Sequence, residues 1–158
     1  MLTPAERQRR IDIIRQFPAR LKEIVRDLTD VQLKTAYIPG EWSVQQIVHH
    51  LPDSHMNSFI RLKLILTEGR PTLKPYDQEQ WALLADVDRT PIRASLLILE
   101  GLHERWCNLF ESLTDEQWGR KGVHPEVGEI TAEDLVVTYS DHCDAHYEQI
   151  TRTLAAAP

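Results

Sequence analysis

The chain has 158 residues, with 18 Lys and Arg against 24 Asp and Glu, giving a formal charge of −6 and a pI near 5.6. That length suits one domain over 1–158 with a core that needs no disulfide staples, and an acidic balance without a Lys/Arg run excludes an electrostatic footprint for nucleic acid. No apolar run is long enough for a bilayer, the N-terminus Met1-Leu2-Thr3-Pro4-Ala5-Glu6 lacks the apolar stretch of a signal peptide, and Cys107 and Cys143 are too few for a disulfide framework, so the expectation is a cytoplasmic protein with reduced thiols and no membrane partner.

Thr3-Pro4-Ala5-Glu6 predicts a helix start, with an N-cap threonine, proline at the first helical position and glutamate closing a capping box. Ile11, Ile14, Phe17, Leu21, Ile24, Val25 and Leu28 then recur at helical spacing, and Pro18 should kink or break the helix because it lacks an N–H. Residues 29–40 read as a connector. Ser43-Val44-Gln45-Gln46 is a second capping box, opening a helix to about Thr67 that carries His49, His50 and His55 and has Pro52 within it. Its stretch from Phe59 to Leu66 is apolar nearly all round, which predicts burial in the bundle or against a second subunit.

Residues 69–90 form a long connection with a short helical piece around Trp81. Thr90-Pro91 starts a third helix with Ile92, Leu96, Leu99, His103, Trp106, Leu109, Phe110 and Leu113 on its inner side, followed by a loop from Gly119 to Ile130. Thr131 opens a fourth helix to about Leu154. Four long helices with almost no strand signal predict an all-α fold, a four-helix bundle. A short internal repeat, Leu28-Thr29-Asp30-Val31-Gln32-Leu33 and Leu113-Thr114-Asp115-Glu116-Gln117-Trp118, suggests two helical hairpins that bring the second and fourth helices together.

The fourth helix places His142 and His146 four residues apart. Four residues advance a helix by about 400° and roughly 6 Å, so both rings leave one face a turn apart. Leu135, Tyr139, Ile150 and Leu154 share that side, so the rings point inward, where they need partners: either one divalent ion or carbonyls and carboxylates. On an ideal wheel of the second helix His55 is central to the stripe Val44, Ile47, Val48, Leu51, Phe59 and Leu62. His50 lies on its flank and His49 on the outer side, but a kink at Pro52 changes that register, and the pattern leaves the third ligand open.

The run from Trp42 to Ser58, WSVQQIVHHLPDSHMNS, resembles the signature of YfiT-like proteins of the DinB superfamily. The likeness continues through Lys74-Pro75-Tyr76-Asp77 with Trp81, Leu102-His103-Glu104-Arg105-Trp106, His124-Pro125-Glu126 and the pair His142 and His146. The resemblance implies a four-helix bundle, a homodimer, and one divalent metal, zinc or nickel, on three histidines that fall here on His50, His142 and His146. It also implies a metal-dependent hydrolase acting on a small-molecule substrate. Related members transfer a low-molecular-weight thiol of the bacillithiol type, which makes thiol S-transfer the enzymatic alternative and a metal-binding bundle without turnover the non-enzymatic one. Three neutral imidazoles leave the ion its charge and an open position, which suits activation of either water or a thiol.

Asp53, three residues after His50, is a candidate base or ring-orienting carboxylate, with a capping or solvated role as the plainer alternative. His103 is expected to be a hydrogen-bonded core residue. His55 and His124 are placed either at the mouth of the site or in structural roles. Trp42, Trp81, Trp106 and Trp118 are read as core or loop anchors, and Cys143 points about 100° away from its neighbour His142, a poor position for a ligand.

Overall fold

The computed structural model describes residues 1–158. In chain order it contains α1 (Pro4–Val25), α2 (Asp30–Lys34), α3 (Val44–Thr67), α4 (Gln78–Trp81), α5 (Ala85–Arg89), α6 (Arg93–Glu111), α7 (Asp115–Trp118), β1 (Lys121–His124), β2 (Gly128–Thr131) and α8 (Ala132–Ala155). The four long helices α1, α3, α6 and α8 form the bundle.

Local signals account for most helix starts. Thr3 with Glu6, Ser43 with Gln46 and Thr131 with Asp134 all close reciprocal capping boxes, each satisfying end N–H groups that would otherwise lack partners. The two repeat segments lie outside the long helices and open elements of their own. Thr29 with Gln32 and Thr114 with Gln117 form capping boxes of their own and start the short helices α2 and α7.

Proline does not break either long helix. Pro18 lies inside α1 and Pro52 inside α3, and both helices run on. A proline at position 18 removes the N–H that would reach the Ile14 carbonyl. That carbonyl instead accepts from His103 Nδ1 of α6 at 2.7 Å, so the helix loses a bond internally and regains it across the bundle.

The bundle is not a pair of side-by-side hairpins. α1 packs on α6 and α8, and α3 packs on α6 and α8, so α1 and α3 face one another along one diagonal and α6 and α8 along the other. The connection through α2 and the one through α7 and the strands are long enough to cross the bundle end, whereas a short loop would force adjacent helices to pair. α3 and α8 do become neighbours, as the repeat suggests.

The core follows the helical stripes. Ile14, Phe17, Leu21, Ile47, Leu51, Leu62, Leu99, Trp106, Phe110 and Ile150 are fully buried. Each large apolar side chain so buried contributes about 1.5–3 kcal/mol, and Trp106→Ala would cost about 3–5 kcal/mol through the cavity it leaves. Polar contacts then set the rotation of α8. Arg7, itself buried, reaches Glu133 and Asp115 at 3.0 and 2.9 Å and lies over the Trp118 ring. Arg10 pairs with Asp141, and Arg20 with Asp144 at 2.9 Å, on either side of His142.

Strands occur where a loop was expected. β1 and β2 pair antiparallel, Lys121 opposite Thr131 and His124 opposite Gly128, with Gly128 at φ 85° in the turn. Leu73 N donates to Val123 O, and Val123 N to Pro71 O, both at 2.8 Å, which ties the long 69–90 connection to this hairpin. The close approach requires glycine at 122, because a Cβ there would stand 2.9 Å from Leu73 side-chain carbons. The signal was present in Gly122, in the Pro125–Gly128 turn and in the β-branched Val123, Ile130 and Thr131, but four-residue strands are too short for a periodicity to emerge.

Candidate metal centre

α3 and α8 meet with three imidazoles between them. One ring nitrogen from each of His50, His142 and His146 converges so that all three lie within 4.8 Å of one another. His142 Nε2 stands 3.4 Å from His50 Nε2 and 3.1 Å from His146 Nε2. Ligands about 2.05 Å from a tetrahedral ion are separated by about 3.3 Å, which the two spacings from His142 match.

The far sides of His142 and His146 agree with that fit. His146 Nδ1 donates to Gln149 Oε1 at 2.8 Å, which leaves its Nε2 as a bare lone pair. His142 Nδ1 is engaged by His55 Nε2 at 3.0 Å, turning His142 Nε2 toward the cluster. Burial lowers the pKa of all three rings, His50 to about 3, with neighbouring histidines adding to the effect at His50 and His142. Neutral lone pairs this close repel unless a cation lies between them.

His50 is buried, while His142 and His146 are half-buried. The Trp42 ring, from the segment preceding α3, tilts against His50 at 4.8 Å between centroids and donates its Nε1–H to Glu79 at 3.1 Å. Trp42 is thus a wall of the site as well as an anchor for α4. A cleft of about 570 Å³ between α1 and α6 opens elsewhere, lined by Arg15, Lys22, Leu97 and Glu100 among others. Of the site's surroundings it touches only His103.

The remaining histidines separate cleanly. His49 Nε2 donates to the Thr90 carbonyl at 3.0 Å and its Nδ1 meets the Ser95 hydroxyl at 2.8 Å, which fastens α3 to the start of α6. His55 is fully buried and does not line the mouth. It bonds His103 at 2.7 Å and His142 at 3.0 Å. His124 accepts from Glu126 N in the hairpin turn at 3.3 Å. Asp53 is half-buried outside the cluster, and burial, with Asp86 adding to it, pushes its carboxyl up to about 6. Cys143 is buried and its thiol is pushed well above its usual range by that burial.

The roles of Gln149 and of the His55–His103 contact were not read from sequence. Gln149 lies three residues beyond His146, a spacing that puts both on one face and was the available signal. The His55–His103 bond joins residues 48 apart and had no local signal.

Comparison with known proteins agrees with this architecture. A sequence profile described as the DinB superfamily matches residues 13–150. YfiT of Bacillus subtilis is 41% identical over 157 residues, spanning 97% of this chain and 88% of that protein. A relative from Oceanobacillus iheyensis is 45% identical over 141 residues, spanning 89% and 81%. Both carry a provisional name as metal-dependent hydrolases. The solved structure of the Bacillus subtilis protein, described as a probable metal-dependent hydrolase with an unusual four-helix bundle topology, superposes with a TM-score of 0.88 over 98% of this chain and 91% of its own. A mycothiol-dependent maleylpyruvate isomerase, 11% identical, superposes with a TM-score of 0.72 over 95% of this chain and 63% of its own, a likeness of fold alone. With the profile spanning most of the chain and relatives above two-fifths identity, the chain belongs to the DinB superfamily.

Proposed function

We propose that this protein is a metal-dependent hydrolase in which His50, His142 and His146 hold one divalent ion, zinc or nickel, and that its substrate is a small molecule. The observation that carries this reading is the convergence of the three ring nitrogens, 3.1 and 3.4 Å from His142 to its two neighbours, with the far nitrogens of His142 and His146 already engaged. When bound, an ion in an all-histidine shell supplies a Lewis-acid centre with a position free of protein ligands, which acidifies water.

The chain's own residues set the conditions for that chemistry. Gln149 orients His146, and the Trp42 ring limits how His50 can turn. The partial exposure of His142 and His146 supports access by a small substrate. Asp53, a turn along α3 from His50 and near 6, is the carboxyl to test as a proton acceptor. A cytoplasmic setting is supported by the two free, buried thiols, and a homodimer by the exposed Ile60 on α3 and Leu97 on α6.

The test is metal analysis of the purified protein coupled to turnover of an ester, amide and phosphoester panel, with water alone and with an added low-molecular-weight thiol. Metal-dependent turnover in water is expected. Turnover only with the thiol would move the reaction to thiol S-transfer, and none in either arm would leave a metal-binding bundle.

A further inference from the structure

Behind His142 lies a row of buried rings that the metal cluster does not use. His142 Nδ1 meets His55 Nε2 at 3.0 Å, His55 Nδ1 meets His103 Nε2 at 2.7 Å, and His103 Nδ1 meets the Ile14 carbonyl at 2.7 Å. His55 and His103 stack at 4.9 Å with 15° between planes, and Phe17, Trp106 and Tyr139 enclose them. His55 is 0% and His103 1% exposed, so neither ring has water as a substitute partner.

The direction of the row is decided at its far end. A carbonyl only accepts, so His103 Nδ1 must carry the hydrogen. Both rings are wholly buried with only ring nitrogens and a carbonyl against their own nitrogens, so each is a neutral imidazole with one donor and one acceptor. His103 Nε2 is then an acceptor and takes the hydrogen of His55 Nδ1. His55 Nε2 is an acceptor in turn and takes the hydrogen of His142 Nδ1. His142 is left with Nε2 bare and facing His50 and His146. The opposite direction would set the His103 lone pair against the Ile14 carbonyl oxygen at 2.7 Å.

We propose that His55 and His103 are positioning residues, a one-way chain of ring hydrogen bonds from the Ile14 carbonyl that fixes His142 in the tautomer and orientation a metal ligand needs. The proposal rests on the reading of His50, His142 and His146 as the ligands. Its physical content is preorganisation: the folded protein presents His142 Nε2 as a lone pair before any ion arrives. Partners behind a ligand histidine typically change metal affinity by about 10–100-fold.

Two measurements test it. Nitrogen-15 NMR of the metal-free wild-type protein should find His55, His103 and His142 each protonated at Nδ1 and bare at Nε2. A hydrogen on Nε2 of His55 or His103 overturns the chain, and this needs no variant to fold. Zinc(II) affinity by chelator competition should fall by about 10–100-fold in His55→Leu with one ion still bound at saturation. His55→Gln, whose amide can accept from His142 and donate to His103, should recover most of the loss. Unchanged affinity in folded His55→Leu, or equal losses in the Leu and Gln variants, overturns the positioning role. If His50→Ala, His142→Ala and His146→Ala all keep zinc at full affinity, the metal centre itself fails, an outcome distinct from loss of zinc in those three with none in His55→Leu.

Discussion

His103 of α6 takes the backbone acceptor that Pro18 of α1 leaves free: the proline supplies no N–H to the Ile14 carbonyl, and His103 Nδ1 fills that position at 2.7 Å. The bond that a helix normally makes to itself is here made between helices, and it ends within the packing behind the His50, His142 and His146 cluster.

That relationship has a measurable signature. In a double-mutant cycle, His103→Leu in the wild-type background leaves the Ile14 carbonyl buried without a partner. In the Pro18→Ala background the restored N–H at position 18 satisfies it. The cost of His103→Leu should therefore be smaller by about 1 kcal/mol in the Pro18→Ala protein, read by urea denaturation. Equal costs in both backgrounds would show that the two residues do not share the carbonyl.

Removing any one of the three converging histidines should remove the ion. His50→Ala, His142→Ala and His146→Ala are each expected to weaken zinc binding by at least about 100-fold, since each deletes a ligand and not merely its support. His49→Ala should leave one zinc per chain, because its ring is committed to Thr90 and Ser95. Elemental analysis after dialysis reads both outcomes, and full occupancy in all three ligand variants would sink the site.

Acid should destabilise the metal-free protein before it reaches the usual carboxylate range. His103 is lowered from 6.5 to about 4 in the folded state, so between those values the unfolded chain binds the extra proton. Its contribution is fully present above about pH 6.5 and is lost as pH falls toward 4, amounting to about 3 kcal/mol for this ring. His50, lowered to about 3, acts in the same direction. Urea midpoints of the metal-free protein at pH 7, 6 and 5 should fall steadily, and a flat profile across that window would contradict the buried neutral rings.

Gly122→Ala should destabilise the tie between the long connection and the hairpin. The new methyl would meet the fully buried Leu73 at 2.9 Å, an overpacking that costs about 1–3 kcal/mol. Adding Leu73→Ala should not stack its full cost on top, because the smaller side chain makes room for the methyl. Strictly additive losses in thermal denaturation would show that the two positions do not touch.

What the sequence determined by itself lies at short range. Thr3, Ser43 and Thr131 mark three helix starts through contacts within one turn, and the stripes through Phe17, Leu51 and Trp106 assign inner faces by helical period alone. The four-residue step from His142 to His146 likewise brings two rings to one face wherever the helix lies. Short strands escaped notice, since β1 and β2 are too brief to show a period and are held by a partner segment some fifty residues away at Pro71 and Leu73.

The helical period alone left open which histidine of α3 joins that pair; the resemblance to YfiT-like proteins implied His50, and the tertiary packing supplies the physical reason. The wheel places His55 centrally and His50 on the flank, yet α3 lies between α6 and α8, so a central ring faces His103 and a flanking ring faces α8. The diagonal arrangement of α1 with α3 creates that geometry, and it depends on long connections whose path leaves no local pattern. The same packing gave the Ile14 carbonyl its partner on α6, turning a residue that reads as a helix breaker into one end of a bond across the core. Helical faces follow from local chemistry, but which faces meet depends on contacts between residues tens of positions apart, and no single stretch of the chain contains them.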